Sequence, residues 1–139
     1  MRNRLQATPG NALEPGAFGP VTQTDIVRFA GAGGDFNPLH HDPQFASAAG
    51  FERPIAMGQF TAGLLAAWLT DQCGVENLRS FGVRFTSPVA IGDELTFTGT
   101  IDTIEQAPDA TGLARLSLQA SCGERVAVRA TAAVVVTVA

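Results

Sequence analysis

Residues 59–73, Gln-Phe-Thr-Ala-Gly-Leu-Leu-Ala-Ala-Trp-Leu-Thr-Asp-Gln-Cys, leave this chain few folds to choose from. Phe60, Leu64, Leu65, Trp68 and Leu69 recur at helical spacing and form one apolar face. The opposite face, Ala62, Gly63, Ala66 and Ala67, is small and nonpolar where a surface helix would carry charge. A helix without a polar face must be covered on nearly all sides. Gly63 costs about 1 kcal/mol of helix propensity relative to alanine, which implies a close neighbour there. Cys73-Gly74 is a fitting stop.

The material to cover that helix follows it in the chain, where the apolar period falls from 3.6 to 2. Leu95, Phe97, Gly99 and Ile101 alternate with Glu94, Thr96, Thr98 and Thr100, and Leu116, Leu118, Ala120 and Cys122 alternate with Arg115, Ser117, Gln119 and Ser121. Both are patterns of half-buried strands. Residues 80–85 and about 125–138 supply two more. The link from Ala107 to Gly112 reads as a hairpin loop, and Gly123-Glu124 as a two-residue turn of the Gly-X kind. The expectation is an α+β fold in which a long antiparallel sheet curls around one central helix. The stretch Ala132-Ala133-Val134-Val135-Val136 is too uniformly apolar for a strand with one wet face, so part of it should be covered.

Before the central helix lie shorter pieces. Residues 1–17, rich in Pro, Gly and Asn, read as a loose arm. Thr22 with Asp25 has the form of a capping box and opens a helix to about Ala30. Asp42 is an N-cap with Pro43 at the first helical position, and Gly50 closes that second short helix. No repeat, linker or low-complexity tract interrupts the chain, so residues 1–139 read as one domain.

Between the two short helices stands Gly34-Asp35-Phe36-Asn37-Pro38-Leu39-His40. In a helix, residues five apart lie about 140° apart around the axis, so Asp35 and His40 would face different ways. Pro38 forbids that arrangement, because it lacks an N–H and pushes Asn37 out of the α region. A sharply folded loop lets both side chains turn toward one point. A carboxylate and an imidazole converging on one water are the parts of general acid–base chemistry. Taken singly, Asp35 could be a turn residue and His40 a structural imidazole; it is their combination with Asn37 and Pro38 that carries the reading. Asn37 suits support of the loop or of a substrate. His41 points away from its predecessor on extended backbone and is expected to be dispensable. Adjacent histidines rarely share one zinc, and no third ligand stands at metal-binding spacing, so no metal is expected. Gly31 to Gly34 lacks the Lys-Ser/Thr of a phosphate-cradling loop.

The motif resembles the signature of the R-specific enoyl-CoA hydratases and MaoC-like dehydratases, Gly-Asp-x-Asn-Pro-(aliphatic)-His. The resemblance extends through Thr24-Asp25-Ile26 and Phe29-Ala30 before it, and Asp42-Pro43 and Phe45-Ala46 after it. It continues through Arg53-Pro54-Ile55-Ala56-Met57-Gly58, Val83-Arg84-Phe85, Pro88-Val89 and Gly92-Asp93. It implies the hot-dog fold, Asp35 and His40 as the catalytic pair, and the Gly58 N–H as donor to the thioester oxygen. It also implies reversible addition of water to a trans-2-enoyl thioester of coenzyme A or an acyl carrier protein, without metal or redox cofactor. Met57 stands where the family usually has histidine; a backbone donor does not depend on its neighbour's side chain, but substrate shape there is put in doubt. The same resemblance leaves room for a hot-dog acyl-CoA thioesterase or a non-catalytic subunit of a heteromeric hydratase, and it implies a homodimer or a dimer of dimers.

Composition agrees. With 45% hydrophobic and 16% charged residues among 139, the chain is globular rather than disordered. A net charge of −4 argues against a nucleic-acid or anionic-membrane surface, though a local basic patch can still hold a phosphorylated carrier. Cys73 and Cys122 lie in apolar-periodic stretches and are expected as free, buried thiols of a cytoplasmic protein. Met1-Arg2-Asn3-Arg4 has charge without an apolar run behind it, so no leader is expected.

Overall fold

The computed structural model describes residues 4–139. Two short strands, β1 (Gln6–Ala7) and β2 (Gly16–Phe18), precede helices α1 (Gln23–Gly33) and α2 (Pro43–Ala48), with a 3₁₀ turn over Pro38–His40 between them. The long helix α3 (Gly58–Cys73) follows, and then strands β3 (Leu78–Phe85), β4 (Leu95–Gln106), β5 (Thr111–Cys122) and β6 (Arg125–Val138). The helix starts are those the capping residues dictate. Thr22 accepts from Asp25 N while Asp25 accepts from Thr22 N, a complete capping box. Asp42 accepts from Gln44 N and Phe45 N ahead of Pro43.

β4, β5 and β6 form an antiparallel meander, and β6 pairs antiparallel with β3 on its far side. The β5–β6 link is the two-residue turn, with Gly123 at φ +60°, where a side chain would be strained. The sheet wraps α3, whose Phe60, Leu65, Leu69 and Cys73 are buried against Leu95, Phe97, Ile101, Leu116 and Val134. An α+β architecture with the sheet curled around α3 is the hot-dog arrangement.

Two expectations change. Residues 1–3 lie outside the described residues, but the rest of the arm is not loose. β1 pairs in parallel with the end of β6, β2 pairs with β4, and Gly10 and Leu13 donate to Ile101 O and Gly99 O. The segment is too short and broken for any period to show, yet it satisfies strand edges and buries Ala7 and Leu13. It is held from the core side too, where Trp68 Nε1 donates to Glu14 O at 3.1 Å. Nor is α3 covered on all sides within one chain: Gln59, Gly63 and Ala67 are exposed, and a Cβ on Gly63 would meet nothing within 4 Å. The sheet curls around one flank only.

Candidate functional site

The loop after α1 is shaped by its own polar groups. Gly34 ends the helix in the left-handed region at φ +70°, and Asp35 N donates back to Ala30 O at 3.0 Å. The chain turns there and brings Asp35 out of the helix axis. Asp35 Oδ1 then accepts from Asn37 N at 3.3 Å, and Asn37 Oδ1 accepts from Leu39 N at 3.0 Å, capping the 3₁₀ turn that Pro38 begins. Asn37 is therefore committed to the loop.

That turn delivers His40 inward while Asp35 stays half exposed. His40 Nε2 lies 3.4 Å from Asp35 Oδ2, and the side chains are 10% and 46% exposed. On the ring's other side, Nδ1 is 2.7 Å from Ile55 O. A carbonyl oxygen only accepts, so Nδ1 carries the hydrogen and Nε2 of the neutral ring presents its lone pair toward Asp35. Two acceptors at that separation repel unless a hydrogen lies between them, from a shared water or on the ring itself. Gln23 Nε2 holds His40 O at 3.0 Å, and Ile55 N holds Leu39 O at 3.1 Å. His41, by contrast, is exposed and ends the turn.

Gly58 opens α3 beside a cleft of about 520 Å³ bounded by Ile55, Met57, Gly58, Phe85, Ser87 and Val128. Met57 is the N-cap, makes no side-chain cap bond and is buried. The first N–H groups of α3 thus have no capping side chain, and the helix dipole favours negative charge in front of them. A Cβ on Gly58 would lie 2.8 Å from the Phe85 ring, so the glycine is what lets that ring close over the start of the helix. Asp35 and His40 do not line this cleft; Ile55 belongs to it and also holds the imidazole.

Sequence reasoning missed the frame behind Ile55. Asp93 Oδ2 accepts from Arg125 Nη2 and Ala90 N, each at 2.9 Å, and its Oδ1 accepts from Arg53 Nη2 at 3.4 Å. Burial pushes the Asp93 carboxyl up, but the Ala90 N–H, Arg125 and Arg53 outweigh it and hold the group below the ordinary carboxylate range. The same guanidiniums reach backbone: Arg53 Nη1 donates to Ile91 O at 2.6 Å, and Arg125 Nη1 to Pro88 O. Arg53 and Gly92-Asp93 stood out only as landmarks, because ion pairs spanning 32 and 40 residues leave no local pattern. Cys73 is buried and Cys122 half-buried; both are free, and burial pushes both thiols up.

Residues 4–117 match the family model described as MaoC like domain. Over 98 residues, covering 68% of this chain and 73% of the relative, the sequence is 37% identical to the (R)-specific enoyl-CoA hydratase of Aeromonas caviae. It is 46% identical over 78 residues to the peroxisomal multifunctional enzyme type 2 of Mus musculus, of which it spans only 10%. Among solved structures, the (R)-hydratase from A. caviae involved in PHA biosynthesis superposes with a TM-score of 0.77 at 28% identity, covering 92% of this chain and 96% of that one. A MaoC-like dehydratase superposes with a TM-score of 0.84 at 26% identity, covering 95% of this chain and 42% of that one.

Proposed function

The chain belongs to the MaoC-like domain family, and from that premise we propose that it adds water reversibly to a trans-2-enoyl thioester, giving the (R)-3-hydroxyacyl thioester. Kinship with hydro-lyases supports an enzymatic role, and the observation that carries the reading is the imidazole held by Ile55 O with Nε2 turned to Asp35.

In this reading one water donates one hydrogen to His40 Nε2 and the other to Asp35 Oδ2. The water oxygen attacks C3 as its proton passes to Nε2, and the Asp35 carboxylate stabilises the imidazolium so formed. The electron pair of the C2–C3 double bond moves onto the thioester oxygen as an enolate. Nε2–H then returns the proton to C2 and the carbonyl re-forms, so one molecule of water has been added across the double bond. A single proton carrier acting on one face gives syn addition. The Gly58 N–H would meet the enolate oxygen, a contribution of roughly 3 kcal/mol where such donors have been removed in other enzymes. The thioester itself acidifies C2, so the step needs no other electron sink. Coenzyme A or an acyl carrier protein would carry the acyl group.

Purified protein with crotonyl-CoA should lose enoyl absorbance without releasing free CoA. Release of CoA with no hydrated product would replace this reading by a thioesterase. Inactivity of the chain alone, relieved by a second MaoC-like subunit, would make it a partner subunit.

A further inference from the structure

Asp93 spends its carboxylate on Ala90 N, Arg53 and Arg125 and is not paired with His40, yet hydrogen bonds and one short stretch of backbone link it to the imidazole. Its carboxylate closes the turn from Ala90 to Asp93 by accepting from Ala90 N at 2.9 Å. Through Arg53 and Arg125 it also fixes the carbonyls of Ile91 and Pro88. The loop so held is the partner of the segment before α3. Ile55 and Ala90 form a β-bridge, Ala56 N donates to Val89 O at 2.7 Å, and Ile91 N donates to Pro54 O at 3.1 Å. Ile55 is thereby clamped from one side by the loop over residues 88–91. On its other side it binds Leu39 O through its N–H and His40 Nδ1 through its C=O. Three residues further on, the same backbone reaches Gly58.

We propose that Asp93 is a positioning residue that fixes the tautomer and orientation of His40 through the 88–91 loop and Ile55, and sets the Gly58 N–H by the same segment. Asp93 touches neither the reacting atoms nor the imidazole. Its charge holds two guanidiniums whose free arms pin the backbone on which both halves of the site rest. Removing the charge loosens Ile55 O, and the His40 ring then loses the acceptor that keeps its hydrogen on Nδ1. In water a neutral histidine side chain favours hydrogen on Nε2, which would turn a donor toward Asp35 in place of the lone pair. The consequence for catalysis rests on the hydratase reading above; the effect on the tautomer does not.

The chain has two histidines, so the imidazole ¹H–¹⁵N correlations of His40 can be read with His41 as an internal control. In wild-type protein His40 should show the Nδ1–H pattern and His41 the solvent-like one. In folded Asp93→Asn and Asp93→Ala, His40 should move toward the Nε2–H pattern with His41 unchanged, and kcat for hydration should drop at least tenfold while KM changes less than threefold. Should both Asp93 variants fail to fold, Arg53→Gln and Arg125→Gln each remove one arm of the clamp and should shift His40 part of the way. A His40 spectrum identical to wild type in any of these folded variants would overturn the proposal. A shifted spectrum in a protein that hydrates no enoyl thioester would keep the positioning role and reject the reaction instead.

Discussion

Asp35→Asn and His40→Ala should each lower kcat about a hundredfold or more in protein that still folds, as expected for general acid–base groups. His41→Ala, at an exposed turn end, should cost less than about tenfold in kcat/KM, or roughly 1.4 kcal/mol. Steady-state hydration kinetics on the three variants check this, and a His41 loss equal to that of His40 would give His41 a share in the chemistry. Gly58 needs a matched pair of changes, because a side chain there disturbs Phe85 whatever happens to the donor. Gly58→Ala keeps the N–H and adds the Cβ; Gly58→Pro adds bulk and removes the N–H, at a first helical position that tolerates proline. If the N–H serves the thioester oxygen, turnover should fall about a hundredfold further in the proline variant than in the alanine one. Equal losses would reject the role. Asp35, Asn37 and His40 were legible in the sequence because Pro38 and the spacing confine them to one loop. Ile55 was not, since it acts through its backbone, and Phe85 was not, since its meeting with Gly58 depends on how β3 crosses α3.

Helix α3 and strands β4 and β5 announced themselves through period, and β6 through the turn before it; β1 and β2, at two and three residues, are shorter than any period. β1 is seated by its pairing with β6, and β2 by the shape of α3. Trp68 lies over Gly16 and Gly99: a Cβ on Gly16 would fall 2.4 Å from the indole, and one on Gly99 would fall 2.6 Å from Leu118 and 3.2 Å from the indole. Trp68 also holds Glu14 O, so a cleanly fitted ring joins the helix to β2 and to the segment before it. Gly16→Ala should therefore destabilise the fold by about 1–3 kcal/mol through overpacking. Urea unfolding followed by the fluorescence of Trp68, the one tryptophan of the chain, measures it, and an unchanged midpoint would mean the ring has room to move.

For the whole molecule, the question is what lies beyond the edges. Residues 132–136, expected from the sequence to be covered at least in part, are buried within one chain except for half-buried Val135, so they carry no demand for a partner. Strand β3 pairs among the described strands with β6 alone and carries exposed Val83 and Phe85. We propose that a second copy covers that edge, since unpaired strand groups favour a self-complementary contact. Light scattering at micromolar concentration should give at least twice the 14.5 kDa chain mass, and a strictly monomeric active particle would refute the pairing. Acid sensitivity belongs to this scale as well. Because the Asp93 carboxyl is held below its unfolded value, its stabilisation is complete above about pH 4 and fades as pH falls through the folded value. Urea midpoints of wild type and Asp93→Asn should thus differ at pH 7 and converge in acid; a constant gap would show that the carboxylate charge is not what holds the loop.

Ile55 holds Leu39 and His40 with groups that every amino acid except proline shares. Its N–H and C=O do the binding, so alanine, valine or leucine in its place would leave those bonds intact, and a scan of those three would pass over them. Tolerance to substitution there would measure the wrong thing. Chemical synthesis can change the atom that matters: an ester at the Ile55–Ala56 linkage weakens the carbonyl as an acceptor and deletes the Ala56 N–H, while every side chain stays native.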